Sequence, residues 1–278
     1  MAIANFIPEV WAAELLVTLE KSLVYAAPGV VNRNYEGEIS QYGDTVHITG
    51  LADPTIGTYT AHTDITIEDV DDNTQALLIN QSKYFAFEVD DIERRQARSG
   101  GAVLTEQARK AAYLLRDVAD QYVATLMGAA TTPGSEVTIA LSAEAYDLLV
   151  DLSVELDEAN VPSEGRFAVV TPAFYGHLLK DQRFVAAGDE AGARTRANGV
   201  VGEAAGFSIR KSNNAPAGAT TGKLIIAGYD GATTYAEQIA STEAFRMEKR
   251  FADGVKGLHL YGSKVVRPAG LASRDVIA

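Results

Sequence analysis

The stretch TEQARKAAYLLRDVADQYVATLM, Thr105 to Met127, keeps a helical apolar period for 23 residues with no proline or glycine inside it. Leu104, Ala108, Ala111, Leu115, Val118, Tyr122 and Leu126 recur at spacings of three and four, which predicts one amphipathic helix with that stripe facing inward. Gly128 and Pro133 are expected to end it. At 1.5 Å per residue such a helix spans roughly 35 Å, about the width of a small domain. A fold containing it must be built along it, with one helix as the spine of the whole subunit.

Around that spine the chain has ample apolar material. Its 278 residues are 47% hydrophobic and 22% charged, a balance that folds and buries a core instead of staying disordered. Cysteine is absent, which removes disulfides, thiolate metal sites and thiol nucleophiles together. The sequence has no run of eighteen apolar residues, and MAIANFIPEVW lacks the basic start and small-residue cleavage site of a signal peptide. The expectation is a soluble protein made inside the cell. A formal net charge of -13 repels phosphate backbones, so nucleic-acid binding has little electrostatic support. The short basic cluster Arg94, Arg95 and Arg98 is expected to be a solvated face or a set of ion pairs.

Upstream, PEVWAAELLVTLEKSLVYA (8–26) carries Trp11, Leu15, Leu16, Leu19 and Leu23 at helical spacing behind a helix-starting proline, and Pro28-Gly29 closes it. From Gly37 to Asn73 the chain turns polar, with short alternating runs at Val46, Ile48 and Ile65, Ile67 that predict a two-stranded hairpin. A hairpin this polar is not stable alone, so it is expected to project toward a partner; deleting Gly43 to Asp69 should then leave the subunit folded. QALLINQSKYFAFEVDD is expected to form one strand, with Leu77, Ile79, Phe85, Phe87 and Val89 on one face.

Downstream, SAEAYDLLVDLSVELDEAN predicts a helix capped by Ser142, striped by Leu149, Leu152 and Leu156, and closed by Asn160 in the left-handed region. RFAVVT is a core strand leading into AFYGHLLKD, a helix with Thr171 as its cap and Pro172 at its start. A glycine-dense loop, a strand at Phe207 to Arg210 and a core strand KLIIAGY follow. The end, EAFRMEKRFADGVKGLHLYGSKVVRP, is expected to be a long hairpin turning at Asp253-Gly254, with Phe245, Met247 and Phe251 on one face and Arg246, Glu248 and Arg250 on the other. Mixed helices and strands with hairpins at both ends indicate the α+β class.

Catalytic and ligand motifs fail on spacing. Gly199, Gly202 and Gly206 lack the dinucleotide pattern, and Gly218 to Lys223 is one residue short of a phosphate loop. Asp69, Asp71 and Asn73 have calcium-loop spacing, but Thr74 replaces the turn glycine and Asn80 the bidentate glutamate, leaving a solvated turn as the expectation. His47, His62, His177 and His259 form no ligand pair and are expected to be surface or strand residues. Ser208 in GFSIR lacks the second glycine of a nucleophile elbow. No catalytic residue, cofactor or metal is assigned.

The order of segments resembles the major capsid proteins of tailed bacteriophages, the family with the Hong Kong 97-type fold, nearest the coat-protein branch related to the Salmonella phage coat. An N-terminal arm precedes the hairpin around GDTVHI, then KYFAFEVDDIERRQA and the spine helix; LDEANVPSEGRFAVVTPAFYGHLLKD, GVVGEAAGFSIRKSNNAP and the closing hairpin follow. The resemblance implies an N-arm (1–34), an extended loop (35–76), a peripheral domain with the spine helix (77–139 and 236–278) and an axial domain (140–235). It also implies a shell of many copies, in hexamers and pentamers, in contact through Asp53, Pro54, Tyr59, Arg94, Arg95, Arg246 and Arg250. The expected partners beyond itself are a separate scaffolding protein, a portal and packaged DNA bound without sequence specificity, with no membrane. The expected setting is the virion capsid, assembled in the bacterial cytoplasm. No lysine occurs between Gly37 and Asn73, so cross-linking through a loop lysine, as some members do, is not expected. The competing readings are an α+β enzyme using His177 and a carboxylate, and another virion or tail component.

Overall fold

The computed structural model describes residues 24–35, 45–51, 55–59, 61–62, 64, 67, 72–90, 102–181, 183, 202–219 and 221–277. The helix expected over 8–26 falls outside these residues except for 24–26, which form a turn instead. Arg94, Arg95, Arg98, Asp53, Pro54, Ile65, Asp69, Asp71 and most of the glycine-dense loop also lie outside them.

The largest sheet has six strands. In order they are β4 (Gly134–Thr138), β11 (Leu271–Ile277), β8 (Lys223–Tyr229), β5 (Arg166–Val170), β7 (Phe207–Lys211) and β6 (Glu203–Ala204). After their leading Arg166 and Lys223, FAVV and LIIAGY run without a charged residue because both faces of this sheet are covered. One face packs on α2 (Ser142–Glu158) and α3 (Pro172–Lys180), where Leu149, Leu152, Leu156, Phe174 and Leu178 meet Ala168, Val170 and Ile225. The other face presents Phe167, Val169 and Ile226 to Ala119, Val123 and Met127 of the long helix α1 (Ala102–Ala130), and to Tyr25 and Val30.

A second sheet, β3-β10-β9, is built from β3 (Gln81–Asp90), β10 (Ala252–Val265) and β9 (Thr233–Arg246). A third is the ribbon of β1 (Thr45–Leu51) and β2 (Asp72–Leu78), antiparallel with Leu51 opposite Asp72. Val46, Ile48, Leu77 and Ile79 of this region are buried against Ala236 and Leu260. The ribbon base is therefore part of the core, and a deletion of Gly43 to Asp69 would remove β1 and uncover Leu77.

Several sequence expectations need correction. The single strand over QALLINQSKYFAFEVDD is two strands in two sheets, broken at Ile79-Asn80 because Leu77 and Ile79 turn into the ribbon core while Gln81 starts pairing with Tyr261. The strand that pairs with Thr45–Leu51 is Asp72–Leu78; of the run expected to return, Ile67 is outside any strand and 85% exposed, and Ile65 lies outside the described residues. Asp72 and Asn73 are thus strand residues and not part of a turn.

The spine helix is present, and its 29 residues extend past the expected bounds to about 44 Å. Its buried face is turned from the expected one: Ala108, Ala112, Leu115, Ala119, Val123 and Met127 are inside, while Val118 is exposed. Arg116 and Asp120 share the buried side, and a reading that sends every charge outward misphases the helix. Gly128 continues the helix, since a Cβ there would lie 3.1 Å from Leu224 and 3.3 Å from Pro216; its role is close approach, not termination.

At the start of α2, Ser142 is the first helical residue and not the cap; the Glu144 carboxylate accepts the Ala140 and Leu141 amides at 2.8 and 2.9 Å. Asn160 does close the helix at φ 55°, and Thr171 Oγ1 accepts the Phe174 amide at 3.3 Å to start α3. The closing hairpin turns over 247–251, where the Met247 amide donates to the Ala252 carbonyl at 3.1 Å. Asp253 and Gly254 lie inside β10, opposite Arg246 and Phe245. A Cβ on Gly254 would fall 2.6 Å from the Phe245 ring, so the glycine serves ring packing and not reversal.

Candidate functional site

The ribbon β1–β2 carries residues 52–71 away from its buried base. Every described residue of that segment is exposed, and its large apolar side chains stand in solvent: Ile56 is 96%, Tyr59 68% and Ile67 85% exposed. Apolar groups gathered on a projection with no core beneath them mark a contact surface. Of the residues expected at subunit contacts, Tyr59 is on this surface, and Asp53 and Pro54 are outside the described residues.

The tip of the closing hairpin forms a second surface. Phe251, in the turn, is 79% exposed, while Phe245 and Met247 are half-buried, so the expected apolar face does not hold to its end. Arg246 pairs with Asp253 at 2.7 Å, Arg250 with Glu88 of β3 at 2.8 Å, and Lys256 with Glu243 at 2.7 Å. These exposed pairs contribute little to folding, roughly 0–1 kcal/mol each. They tie Arg246 to β10 and Arg250 to β3. Arg246 and Arg250 thus share one hairpin tip, whereas Tyr59 belongs to the other ribbon.

A third feature was missed from the sequence. Glu237 of β9, with its side chain only 2% exposed, accepts from the Arg33 guanidinium, from Tyr235 Oη at 2.7 Å and lies 3.2 Å from His259 Nε2 of β10. The main chain seals the same junction, with the Asn32 amide donating to the Thr233 carbonyl at 2.8 Å and the Tyr235 amide to the Asn32 carbonyl at 2.9 Å. Burial by itself would raise the Glu237 carboxyl; the His259 hydrogen bond, the Arg33 charge and the Tyr235 hydroxyl outweigh it, and the net shift is downward. Burial above all, then Glu237, pushes the Tyr235 phenol well up. The available signal was Glu237 sharing a strand face with Tyr235, a carboxylate at an inward position. His259 is 1% exposed, a core residue and not a surface one.

The glycine loop rejected as a phosphate cradle holds an anion from its own chain. Asp275 Oδ2 accepts the Ala219 amide at 2.6 Å, and a Cβ on Gly218 or Gly222 would fall 1.9 or 2.1 Å from Asp275 Oδ1. With the space between the glycines filled by that carboxylate, no phosphate fits. Ser208 sits within β7 opposite Phe167 and Glu203, not on a strand-to-helix elbow. His177 is in the last turn of α3. Among the described residues no group of three His, Asp or Glu side chains could hold a metal, and no helix is long and apolar enough to cross a membrane.

A family model described as phage capsid protein matches residues 74–273. A solved structure from Mycobacterium phage Che8 is 31% identical, with a TM-score of 0.77 over 98% of both chains. The capsid of the cyanophage P-SCSP1u is 17% identical, with a TM-score of 0.66 over 86% of this chain and 85% of that one. A virus-like particle from Pyrococcus furiosus is 15% identical, with a TM-score of 0.57 over 96% and 98%. No curated protein matches the sequence.

Proposed function

We infer, from the premise that this chain belongs to the phage capsid protein family, how its two projections serve assembly. The protein is a structural major capsid protein with the Hong Kong 97-type fold, a component of an icosahedral phage head. The observation that carries the assembly reading is the segment 52–71, whose exposed Ile56, Tyr59 and Ile67 have no core beneath them in their own subunit. Their cover is a neighbouring copy. The charged tip with Arg246, Arg250 and Phe251 makes a second contact, and Asp53, Pro54, Arg94 and Arg95 belong to the same set of intersubunit residues.

In this reading 1–34 is the N-arm, 35–76 the extended loop, 77–139 with 236–278 the peripheral domain and 140–235 the axial domain. β4 pairs with β11 and β11 with β8, so 134–138 and 271–277 share one sheet with strands of the segment 140–235. Subunits group as hexamers and pentamers around the axial loops, guided by a separate scaffolding protein in the bacterial cytoplasm. A portal occupies one vertex, and DNA is enclosed without sequence-specific contact, in keeping with the net charge of -13. Kinship within the fold is placed nearest the Salmonella-phage coat branch, on the order of the segments. The chain does no chemistry on a substrate.

Particle sizing and electron microscopy test this. The purified chain, alone or with scaffold, should give capsomers and megadalton shells. Replacing 52–71 by Asn-Gly joins Leu51 to Asp72 through a two-residue turn compatible with their pairing. That variant should fold and melt like the parent yet form no shells. A parent that stays monomeric, or an excised variant that still closes shells, overturns the reading.

A further inference from the structure

Outside the two projections, exposed large apolar side chains gather chiefly on two helices that cover opposite faces of the six-stranded sheet. On α1 they are Tyr113, Leu114 and Val118, at 58%, 61% and 40% exposure; on α2 they are Val150 and Val154, at 37% and 48%. Each set stands across the helix from its buried side, Ala112, Leu115 and Ala119 on α1 and Ala145, Leu149, Leu152 and Leu156 on α2. The charges around the two sets differ in sign. Arg109 and Lys110 border the α1 strip, and with Tyr113 and Leu114 they line a shallow hollow of about 400 Å³. Asp117, the carboxylate within that strip, already accepts from Gln121 and Asn214, both at 2.8 Å. Along the outer side of α2 the charges are acidic: Asp147, Asp151, Asp157 and Glu158. Arg183 holds Asp147 and Arg166 holds Asp157, while Asp151 and Glu158 have no ion-pair partner among the described residues.

The spacings match as well. Lys110, Leu114 and Val118 follow one another at four-residue steps, and so do Val150, Val154 and Glu158, so each row climbs its helix by about 6 Å per step. Laid antiparallel, the rows bring Lys110 to Glu158, Leu114 to Val154 and Val118 to Val150. A parallel arrangement would set Lys110 on Val150 and Glu158 on Val118, leaving both charges against apolar groups. We propose that the outer strip of α1 is the seat for α2 of a second copy of the chain, the two helices antiparallel and in that register. Within one subunit the six-stranded sheet lies between the two helices, so the rows do not meet. Two complementary surfaces on opposite sides of a subunit make a head-to-tail contact, which closes into a ring when the rotation between copies is a whole fraction of a turn. The contact rests on the inferred grouping of copies as hexamers and pentamers, and it names the faces of neighbouring subunits that meet within the ring. Opposite charge brings the two faces together and excludes pairing of either face with itself, while the apolar rows hold them.

The chain has no cysteine, so an engineered pair reports directly. In capsomers or shells of the full chain carrying L114C with V154C, oxidation should link neighbours into a ladder that ends at the pentamer or hexamer on a gel without reductant. Each single variant should run as monomer. K110E should lower the yield of particles about tenfold or more, E158K likewise, and the two together should recover to within about threefold of the parent. All four positions are exposed, so circular dichroism and the melting temperature of the unassembled subunit should stay as in the parent. Particles that give no ladder, or charge reversals that assemble like the parent, overturn this contact and leave the capsid function standing. Disulfide-linked dimers from L114C alone would seat α1 on its own like, and overturn it too. So would a loss of particles in K110E with E158K assembling normally and giving no rescue, which assigns the strip to a different protein. A parent that forms no particles under any of these conditions overturns the inferred assembly itself, and the contact with it.

Discussion

The Glu237 junction allows a stability effect to be worked out from its parts. E237L removes the acceptor of three donors at once: the Arg33 guanidinium, whose side chain is 13% exposed, the Tyr235 hydroxyl and the His259 ring nitrogen. Taking one partner from a buried ion pair costs up to about 3–5 kcal/mol, because the remaining charge loses that counter-charge. Removing both charges, as R33M with E237L, takes away the uncompensated charge and orphans the Tyr235 hydroxyl and the His259 nitrogen, about 1–3 kcal/mol each at most. The double variant should therefore be more stable than E237L alone. Urea unfolding of unassembled subunits, followed by circular dichroism at constant slope, reads these differences. The sign with pH follows from the lowered Glu237 carboxyl. Its contribution is complete above the ordinary carboxylate range and is lost as the pH falls through the lower folded value. The penalty of E237L should accordingly shrink in acid. A penalty below about 1 kcal/mol, or a double variant weaker than E237L, would refute the account of the junction as a cluster paired through Glu237.

Other substitutions probe the packing more locally. A Cβ on Gly262 would lie 2.5 Å from the Leu78 carbonyl oxygen, whereas one on Gly257 would meet the Phe85 ring at 2.4 Å. The half-buried ring can swing aside and the backbone cannot, so G262A should lower the melting temperature more than G257A, each by an overpacking cost of about 1–3 kcal/mol. T171A removes the hydroxyl that accepts the Phe174 amide and should cost about 1 kcal/mol in urea unfolding, with the parent restored by T171S.

The sequence is most legible where a residue's local pattern and its burial agree. Lys223–Tyr229 and Arg166–Val170 carry no charge after their first residue because both faces of their sheet are covered, and each forms the strand its residues predict. Leu149, Leu152 and Leu156 fall where the period places them for the same reason. Legibility fails where a polar group is inside or a glycine serves a neighbour. Arg116 and Asp120 are buried on α1, which shifts its inward face; the partners of Asp120, the Val24 and Tyr25 amides and Asn214, are over 90 residues away in sequence. Asp253-Gly254 has the composition of a tight turn but lies within β10, because that glycine answers to the Phe245 ring across the sheet.

The same contrast bears on the surfaces proposed for contact. Tyr59 and the polar ribbon stand out in the sequence because a surface meant for a neighbour breaks the rule that large apolar groups go inside their own chain. Arg246 and Arg250 were visible as the outward phase of a strand, but their carboxylate partners Asp253 and Glu88 were not, since they lie on adjacent strands. Pairing inside the subunit changes what these arginines can do in a shell. An arginine already held at 2.7 or 2.8 Å from a carboxylate gains less from a neighbour's acidic group than a lone one, so its main service is to fix the hairpin tip in one shape. In the proposed assembly, affinity between copies rests on the exposed apolar groups, Ile56, Tyr59, Ile67 and Phe251, with the charged tip setting orientation.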